Sequence, residues 1–283
     1  MMASEVRKKI TKGGIYLILT IMAIQSVIPI LWTIMASFNT GSSLYSVSLV
    51  PEKITFAHYQ EIFNDRQYGK NFGLWYWNTF KIAILTMICA TLLIIITSYA
   101  LSQFRFKGRK FTLMTMLVVQ MFPGFMSMFA IFILLLQLNL INTHMGLILV
   151  YAGGAIPGGV WLVKGYMDGL PRSLPEAAKI DGASNITIFL KVIMPISTPI
   201  LTFIALQSFI SPWMDFIFAR LVLRSDDKKT LAIGLFEMVT GRTNTEFTMF
   251  AAGSVLVAIP ITILFTYLQK YIVEGLSAGA SKI

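Results

Sequence analysis

The sequence predicts an all-α integral membrane protein with six transmembrane helices. Three observations predict this fold class. Of the 283 residues, 56% are hydrophobic and only 13% are charged, and the mean hydropathy is +0.73. The apolar residues also lie in long runs of about 20 residues, the length that an α-helix needs to cross a bilayer. Soluble domains rarely have this composition.

The one cysteine, Cys89, lies inside an apolar run, so no intramolecular disulfide is expected.

The first two predicted spans enclose a polar segment. Residues 1–14 form a basic tail, and 15–38 follow as an apolar run. This run is too long for the core of a signal peptide, which has about 7 to 15 residues, so it is expected to remain as a span. Residues 39–77 are predicted to be an extracellular loop, because they are polar and end in three aromatic residues of the kind that mark a membrane interface. The second span is predicted over 78–101.

The other four spans are joined by turns and by one long polar connection. In the fourth span, Gly154 and Gly158 form a small-xxx-small pattern, which should let another helix backbone approach closely. The spans are predicted over 111–136, 145–163, 200–223 and 250–269, so that the core covers 78–269 and a cytoplasmic tail follows over 270–283.

The long polar connection, 164–199, begins with the pattern of a short helix. Ser173 as N-cap with Glu176 three residues later forms a capping box, and Gly182 is a natural C-terminal stop. A compact helix over 176–181 is therefore expected.

A second helix is expected after this stop, capped by Ser184 or Asn185. Its apolar residues would share one face. A short helix on an amphipathic arm between two spans suits docking into the groove of a partner protein. The alternative is a solvated loop with accidental helical spacing. The residues of the predicted apolar face are Ile186, Phe189, Leu190 and Ile193.

Basic residues predict the orientation of the spans. With six spans, both termini and the connections 103–110 and 164–199 lie on one side. Most of the 23 Lys and Arg residues fall on that side. Because cytoplasmic loops carry an excess of Lys and Arg, this side is expected to face the cytoplasm. Topology then accounts for much of the formal net charge of +10, and no nucleic-acid partner is expected.

Polar residues inside the spans suggest a path through the membrane. Gln207, Ser208, Ser211 and Asp215 lie on one face of the fifth span, and Gln120 could face them from the third. Polar groups in lipid are costly, so this stripe should face other helices or a water-filled route. Hydrogen bonding between helices without transport is the alternative interpretation.

The sequence contains no catalytic or metal-binding constellation. It has no Ser/His/Asp set with supporting context and no paired carboxylates within one span, and His58 and His144 stand alone in segments where solvated side chains are expected. A G-x-x-x-x-G-K-[ST] phosphate loop is absent. The protein is therefore expected to be a non-catalytic conduit, without a bound metal or cofactor, whose energy comes from elsewhere.

Several motifs resemble those of bacterial ABC importers. Glu176-Ala177-Ala178, Asp181-Gly182-Ala183, Phe189 and Pro195 resemble the EAA signature of their membrane subunits. The likeness extends over nearly the whole chain to the type I carbohydrate importer family, and within it to the smaller, MalG-like permease subunit of maltose/maltodextrin importers. The further motifs that carry it are Asn142-Thr143, Trp213 with Asp215-Phe216, and the ending Gly275-Leu276-Ser277-Ala278-Gly279-Ala280.

The resemblance implies the type I ABC importer permease fold in the bacterial cytoplasmic membrane. It also implies three partners besides the lipid bilayer: a second homologous permease, a homodimeric ABC ATPase that binds ATP and Mg²⁺, and an extracellular sugar-binding protein. The coupling helix in the ATPase cleft would contain Glu176, Ala177, Ala178, Asp181, Gly182 and Ala183. Gly275, Leu276 and Ser277 would reach the ATPase interface, and Thr240, Gly241, Arg242 and Asn244 would contact the binding protein.

The expected function is ATP-driven import of maltose or maltodextrin by alternating access, with this chain forming half of the path. Two alternatives stay open. An ABC permease of the same kind could carry another oligosaccharide or a glycerol-phosphate-like solute. An ion-coupled secondary transporter would need paired charges at mid-membrane depth and two similar halves, and the sequence shows neither.

Overall fold

The computed structural model describes residues 2–42, 51, 53–64, 69–240 and 246–280, without the side chains of 2–10, 69–70 and 273–280. The elements in these ranges are helical, as predicted. A π-helical turn, Phe189–Ile193, joins the eighth helix to the ninth, and a short 3₁₀ turn spans Asp226–Lys228. The α-helices are α1 (Met2–Ser37), α2 (Ala57–Asn64), α3 (Gly69–Gln103), α4 (Arg109–Met121), α5 (Gly124–Gln137), α6 (His144–Asp168), α7 (Ser173–Ile180), α8 (Asn185–Ile188), α9 (Met194–Ile196), α10 (Thr198–Met214), α11 (Ile217–Val222), α12 (Leu231–Thr240) and α13 (Phe247–Ala280).

Four helical segments are each long and apolar enough to cross a membrane: Thr11–Ser37, Asn71–Gln103, His144–Asp168 and Phe247–Ile272. Two further pairs of helices pass the same test together but are bent, by 105° between α4 and α5 and by 78° between Asn185–Ile196 and α10. The described residues thus contain four candidate spans, or up to six if each bent pair is one span. The all-helical membrane fold is confirmed.

The predicted third span, 111–136, is not one straight helix. It breaks at Phe122, whose ψ of 130° is extended, before Pro123. The residue before a proline avoids the helical region because the proline ring clashes with it, so the chain turns here. The predicted fifth span, 200–223, is likewise interrupted at Asp215. Beyond residue 269, where the sequence predicts a tail, the backbone of α13 continues as a helix to Ala280.

The chain divides into two compact units, of which the first contains Met1–Lys70 and Leu235–Ala258. In this unit His58 is buried and its Nε2 donates to the Asn39 carbonyl at 2.8 Å. The Thr248 hydroxyl donates to the Gly41 carbonyl at 2.5 Å. The expectation of a solvated His58 is therefore wrong: α2 packs its imidazole against the end of α1.

The second unit contains Asn71–Gly234 and Ile259–Ile283. Its close helix contact falls at Gly159 of α6, where a Cβ atom would collide with the side chain of Ile94 on α3. At Gly154 a Cβ would meet no atom within 4 Å, and at Gly158 the nearest atom would be Gln120 Oε1 at 3.5 Å. Within this chain α3 therefore approaches α6 at Gly159, on the face that adjoins Gly154 and Gly158, so these two glycines do not mark that contact.

Candidate functional site

Helix α7 begins earlier than the sequence predicts. Arg172 precedes the helix in a helical conformation (φ −63°, ψ −24°), so Ser173 lies inside the first turn and makes no side-chain cap. The capping-box prediction is therefore wrong, since a cap needs an extended residue at that position. Glu176 remains in the first turn, where a carboxylate interacts favourably with the helix dipole.

The end of α7 is the predicted glycine stop. Gly182 has a φ of +80°, and its N–H donates to the Lys179 carbonyl at 3.0 Å. The Ala183 N–H donates to the Ala178 carbonyl at 2.9 Å. These two bonds form a Schellman motif, in which the left-handed residue is usually glycine because a Cβ is disfavoured there. Gly182 therefore fixes the shape of the turn after α7.

The following arm differs from its predicted pattern. The Ser184 side chain caps α8 by accepting from the Thr187 N–H at 3.2 Å, as predicted. The π-helical turn then shifts the register, so that Ile188 and Ile193 are buried while Ile186 and Leu190 are exposed by 71% and 50%. The prediction of one apolar face through Ile186 and Leu190 is wrong because a π turn contains more residues than an α turn.

Two tyrosines attach this arm to the membrane helices. The Tyr99 hydroxyl of α3 donates to the Asn185 carbonyl at 3.1 Å, and its ring lies 4.8 Å from that of Phe189. From α6, the Tyr166 hydroxyl donates to the Ile196 carbonyl at 3.1 Å. Ile188 and Ile193 also join the buried cluster of α3, α6 and α10, so the arm packs against all three helices.

The outer face of α7 is exposed and partly apolar. Glu176 and Ile180 lie four residues apart, hence on one helix face, and Ile180 is 87% exposed. Ala178 and Ala183 instead pack against the buried cluster. The sequence prediction did not include Ile180 in this face, although its position four residues after Glu176 was a signal for it. We define the coupling surface as Glu176, Ala177, Ile180, Asp181 and Gly182, all exposed.

A cavity of about 440 Å³ lies between α3, α6 and α10. It brings together three of the residues predicted to line a path, Gln207, Ser208 and Ser211, and adds the polar side chains of Thr86 and Tyr151. Gln120 approaches its wall at Gly158. Sequence reasoning missed Thr86 and Tyr151 because they do not share a polar stripe with other residues of the predicted path. Apart from Gly154, Gly158 and Gly159, the lining also contains Ile94, Val150, Ala155, Leu162, Phe203 and Ile204.

Asp215, the remaining candidate for the path, lies just after α10 and not in the cavity wall. Its Oδ2 accepts from the Tyr151 hydroxyl at 2.5 Å and from the Ala219 N–H at 3.1 Å, and its Oδ1 accepts from the Phe218 N–H at 3.1 Å. The carboxylate thus caps α11 and holds a tyrosine that lines the cavity. Its predicted contact with the path would be indirect, through Tyr151.

The segment Arg224–Leu231, which we call the outer platform, is bound to the ends of α3 and α6. The Trp75 Nε1 donates to the Asp226 carbonyl at 2.7 Å. Asn78 Nδ2 donates to the carbonyls of Asp227 and Lys229 at 2.9 and 3.1 Å. The His144 Nε2 donates to the Lys228 carbonyl at 2.9 Å, so this histidine is not a solvated loop residue as the sequence predicted.

Asn142 makes the largest set of side-chain contacts to the outer platform. Its Oδ1 accepts from the backbone N–H groups of Arg224 and Ser225 at 3.0 and 3.1 Å, and its Nδ2 donates to the Ser225 hydroxyl at 2.6 Å. Asn142 has a φ of +59°, a conformation that asparagine tolerates better than most residues. The next residue, Thr143, caps α6 by accepting from the Gly146 N–H.

We expect Asn142→Ala to lower the midpoint of thermal unfolding of the purified protein. The change leaves two N–H groups of the platform without their acceptor, at about 1–3 kcal/mol for each group that stays buried. Asn139→Ala is the matched control, because Asn139 also has a positive φ, +55°, and its side chain makes no hydrogen bond to any described residue. Equal unfolding midpoints for Asn142→Ala and Asn139→Ala would contradict a stabilising role for the side-chain contacts of Asn142.

Other predicted site residues are only partly described. Thr240 ends α12, with its hydroxyl donating to the Phe236 carbonyl at 2.8 Å. Gly241, Arg242 and Asn244 lie outside the described residues. Gly275, Leu276 and Ser277 continue the backbone of α13, and their side chains lie outside the description. Within the described ranges, no group of three or more His, Cys, Asp or Glu side chains could hold a metal ion.

Comparison with known proteins identifies relatives along the whole chain. The profile of a family described as "Binding-protein-dependent transport system inner membrane component" matches residues 94–278. The galactooligosaccharides transport system permease protein GanQ of Bacillus subtilis (strain 168) is 44% identical over 278 residues, 98% of each chain. The maltodextrin transport system permease protein MalD of Streptococcus pneumoniae (strain ATCC BAA-255 / R6) is 36% identical over 279 residues, also 98% of each chain.

A solved structure shares the fold. It is the crystal structure of a bacterial ABC transporter involved in the import of the acidic polysaccharide alginate, one chain of which superposes with a TM-score of 0.75. That superposition covers 93% of this chain and 96% of the other, at 25% sequence identity.

Proposed function

The chain belongs to the family of inner membrane components of binding-protein-dependent transport systems, and from this membership we propose that it forms half of the translocation path of an ATP-driven oligosaccharide importer. It is the membrane-spanning, non-catalytic component of its system. ATP and Mg²⁺ would be bound by a partner ATPase dimer, and a second homologous permease would supply the other half of the path. A binding protein outside the membrane would deliver the sugar. The family match favours this function over an ion-coupled secondary transporter.

One observation carries the proposal: an exposed helix, α7, leads into an arm whose buried residues pack against three membrane helices, α3, α6 and α10. The coupling surface presents a carboxylate, a left-handed glycine and an isoleucine that is 87% exposed. Tyr99 and Tyr166 donate hydrogen bonds to this arm, at Asn185 and Ile196, so a displacement of α7 would reach α3 and α6 through the arm.

The mechanism we propose is alternating access driven from outside the chain. Closure of the ATPase dimer would move α7, and the attached helices would reorient so that the cavity opens first to one side and then to the other. The two breaks at Phe122 and Asp215 supply extended residues that could act as hinges. The side with α7, both termini and the turn 103–110 would be cytoplasmic, consistent with its excess of Lys and Arg.

We propose that the cargo is an uncharged oligosaccharide of the galacto- or maltodextrin type. The polar side chains in the cavity wall are hydroxyl and amide groups: Thr86, Tyr151, Gln207, Ser208 and Ser211. Such groups suit sugar hydroxyls, whereas a glycerol-phosphate-like solute would require a cation, and none lines this cavity in the described part of the chain. Competition of unlabelled galactooligosaccharide, maltodextrin and glycerol phosphate against uptake of each sugar would distinguish these cargoes.

The proposed coupling is tested by Ile180→Gln in the tagged chain, purified from its own membrane. We expect the ATPase to be lost from the purified material while the second permease is retained, because Ile180 contributes exposed apolar area that only a partner could bury. Lys107→Gln is the control, since Lys107 is exposed in the neighbouring turn and lies outside the coupling surface. Full recovery of the ATPase with Ile180→Gln would contradict docking at this surface.

A further inference from the structure

A second, smaller cavity opens beside the coupling surface. Its volume is about 340 Å³, and it lies where α3 ends, where α6 ends and where α7 begins. Four cationic side chains line it: Arg105 and Arg109 from the turn after α3, and Arg172 and Lys179 from the α7 segment. We call this cavity the basic notch. Its charged lining is completed by two carboxylates, Asp168 and Glu176.

The four cations of the basic notch outnumber its two carboxylates, although Asp168 interacts electrostatically with Arg109. Asp168 already accepts from the Ser102 hydroxyl at 2.7 Å and forms an ion pair with Lys164. Among the described residues, none of the four cations forms an ion pair, and the Nε of Arg109 is buried without a hydrogen-bond partner. A buried donor without a partner is costly.

The notch lies at the ends of two candidate membrane spans. Both α3, which ends at Gln103, and α6, which ends at Asp168, are candidate spans. Phe104 and Phe106 are exposed in the same turn as Arg105, and exposed aromatic side chains are favoured at the membrane–water interface. An anion that reaches the notch from the bilayer is therefore a phospholipid headgroup, and basic pockets between membrane helices bind such headgroups.

We propose that the basic notch binds the phosphate of an anionic phospholipid and thereby joins the turn after α3 to α7. Arg guanidinium groups bind phosphate oxygens through paired N–H donors, and two arginines lie on one side of the notch. On the other side, Arg172 and Lys179 flank Glu176 of the coupling surface. The lipid would thus position the helix on which partner docking depends. The proposed lipid site depends on the residues that line the notch, and not on the cargo or on the direction of transport.

The proposal is tested with the full-length chain in detergent, titrated with phosphatidylglycerol, phosphatidylcholine or inorganic phosphate. We expect phosphatidylglycerol to remain bound in native mass spectra and to raise the thermal unfolding midpoint. Phosphatidylcholine and inorganic phosphate should do neither. The double variant Arg105→Gln with Arg109→Gln should lose both effects.

The matched control is Lys107→Gln with Lys110→Gln, which removes the same charge from the same turn but does not alter the lining. If both double variants lose the same amount of lipid, the lipid is attracted to basic residues in general. That result would overturn the notch as a specific lipid site. An equal effect of inorganic phosphate would overturn the lipid as its occupant. If the arginine variant fails to fold, Arg172→Gln with Lys179→Gln, on exposed positions, gives the same test. If the arginine double variant retains lipid but loses the ATPase when it is purified from its own membrane, the notch is a contact for an acidic residue of the partner. That result would also overturn the proposal.

Discussion

Gly182→Val is expected to abolish sugar uptake and the stimulation of the partner ATPase while the membrane helices stay folded. Gly182 holds a φ of +80° in the Schellman turn that ends α7. A non-glycine residue in such a conformation costs about 1–3 kcal/mol, and a β-branched residue is among the least tolerant. The turn would open and displace Asp181 and Gly182 of the coupling surface. Uptake and ATP hydrolysis by the whole transporter in proteoliposomes measure the effect.

A matched variant separates the two reasons for a glycine at this position. A Cβ at Gly182 would meet no atom of this chain within 4 Å, so a side chain could clash only with a partner. Gly182→Asn preserves the left-handed conformation at low cost. If the Asn variant still transports sugar, glycine is required only for the left-handed conformation. If transport is lost, glycine is also required so that a partner can approach closely. Wild-type coupling in the Val variant would contradict both.

Gly234→Ala is expected to cause a large loss of folded protein. A Cβ at this position of α12 would collide with the indole of Trp75, whose Cδ2 would lie at 3.0 Å. Trp75 is only 3% exposed, and its Nε1 is held by the Asp226 carbonyl, so the ring cannot move away without breaking the outer platform. Overpacking of a buried site costs about 1–3 kcal/mol and occasionally more. The yield of monodisperse protein and its thermal unfolding midpoint should both fall.

The control for this steric prediction is Gly165→Ala. Gly165 lies inside α6, and its Cβ would meet no atom within 4 Å. Alanine is favoured over glycine in a helix by about 0.5–1 kcal/mol, so this variant should be neutral or slightly stabilised. Trp75→Phe should partly restore the midpoint of Gly234→Ala, because the six-membered ring of the indole is the part that collides. A Gly234→Ala midpoint equal to that of the native chain would contradict the close approach.

Local features of the chain were predicted where the controlling physics is local. The candidate spans follow from apolar runs as long as a bilayer is thick, whatever the helices pack against. The stop at Gly182 and the cap at Ser184 also follow from the residue's own backbone preference and its nearest neighbours. The exposed face of α7 could have been predicted as well, since Glu176 and Ile180 are four residues apart.

Burial and partnership were decided only by the tertiary structure. The sequence gives no sign that a π turn would bury Ile188 and expose Leu190, or that α6 would approach α3 at Gly159. Asp215 looked like a path residue, but its carboxylate caps α11 and holds Tyr151. By itself, the sequence determined that the chain is a helical membrane protein with a short polar helix, ended by a glycine, between two spans. Which side chains meet across helices depends on the register and tilt of each pair, and these are set by packing among residues far apart in the chain.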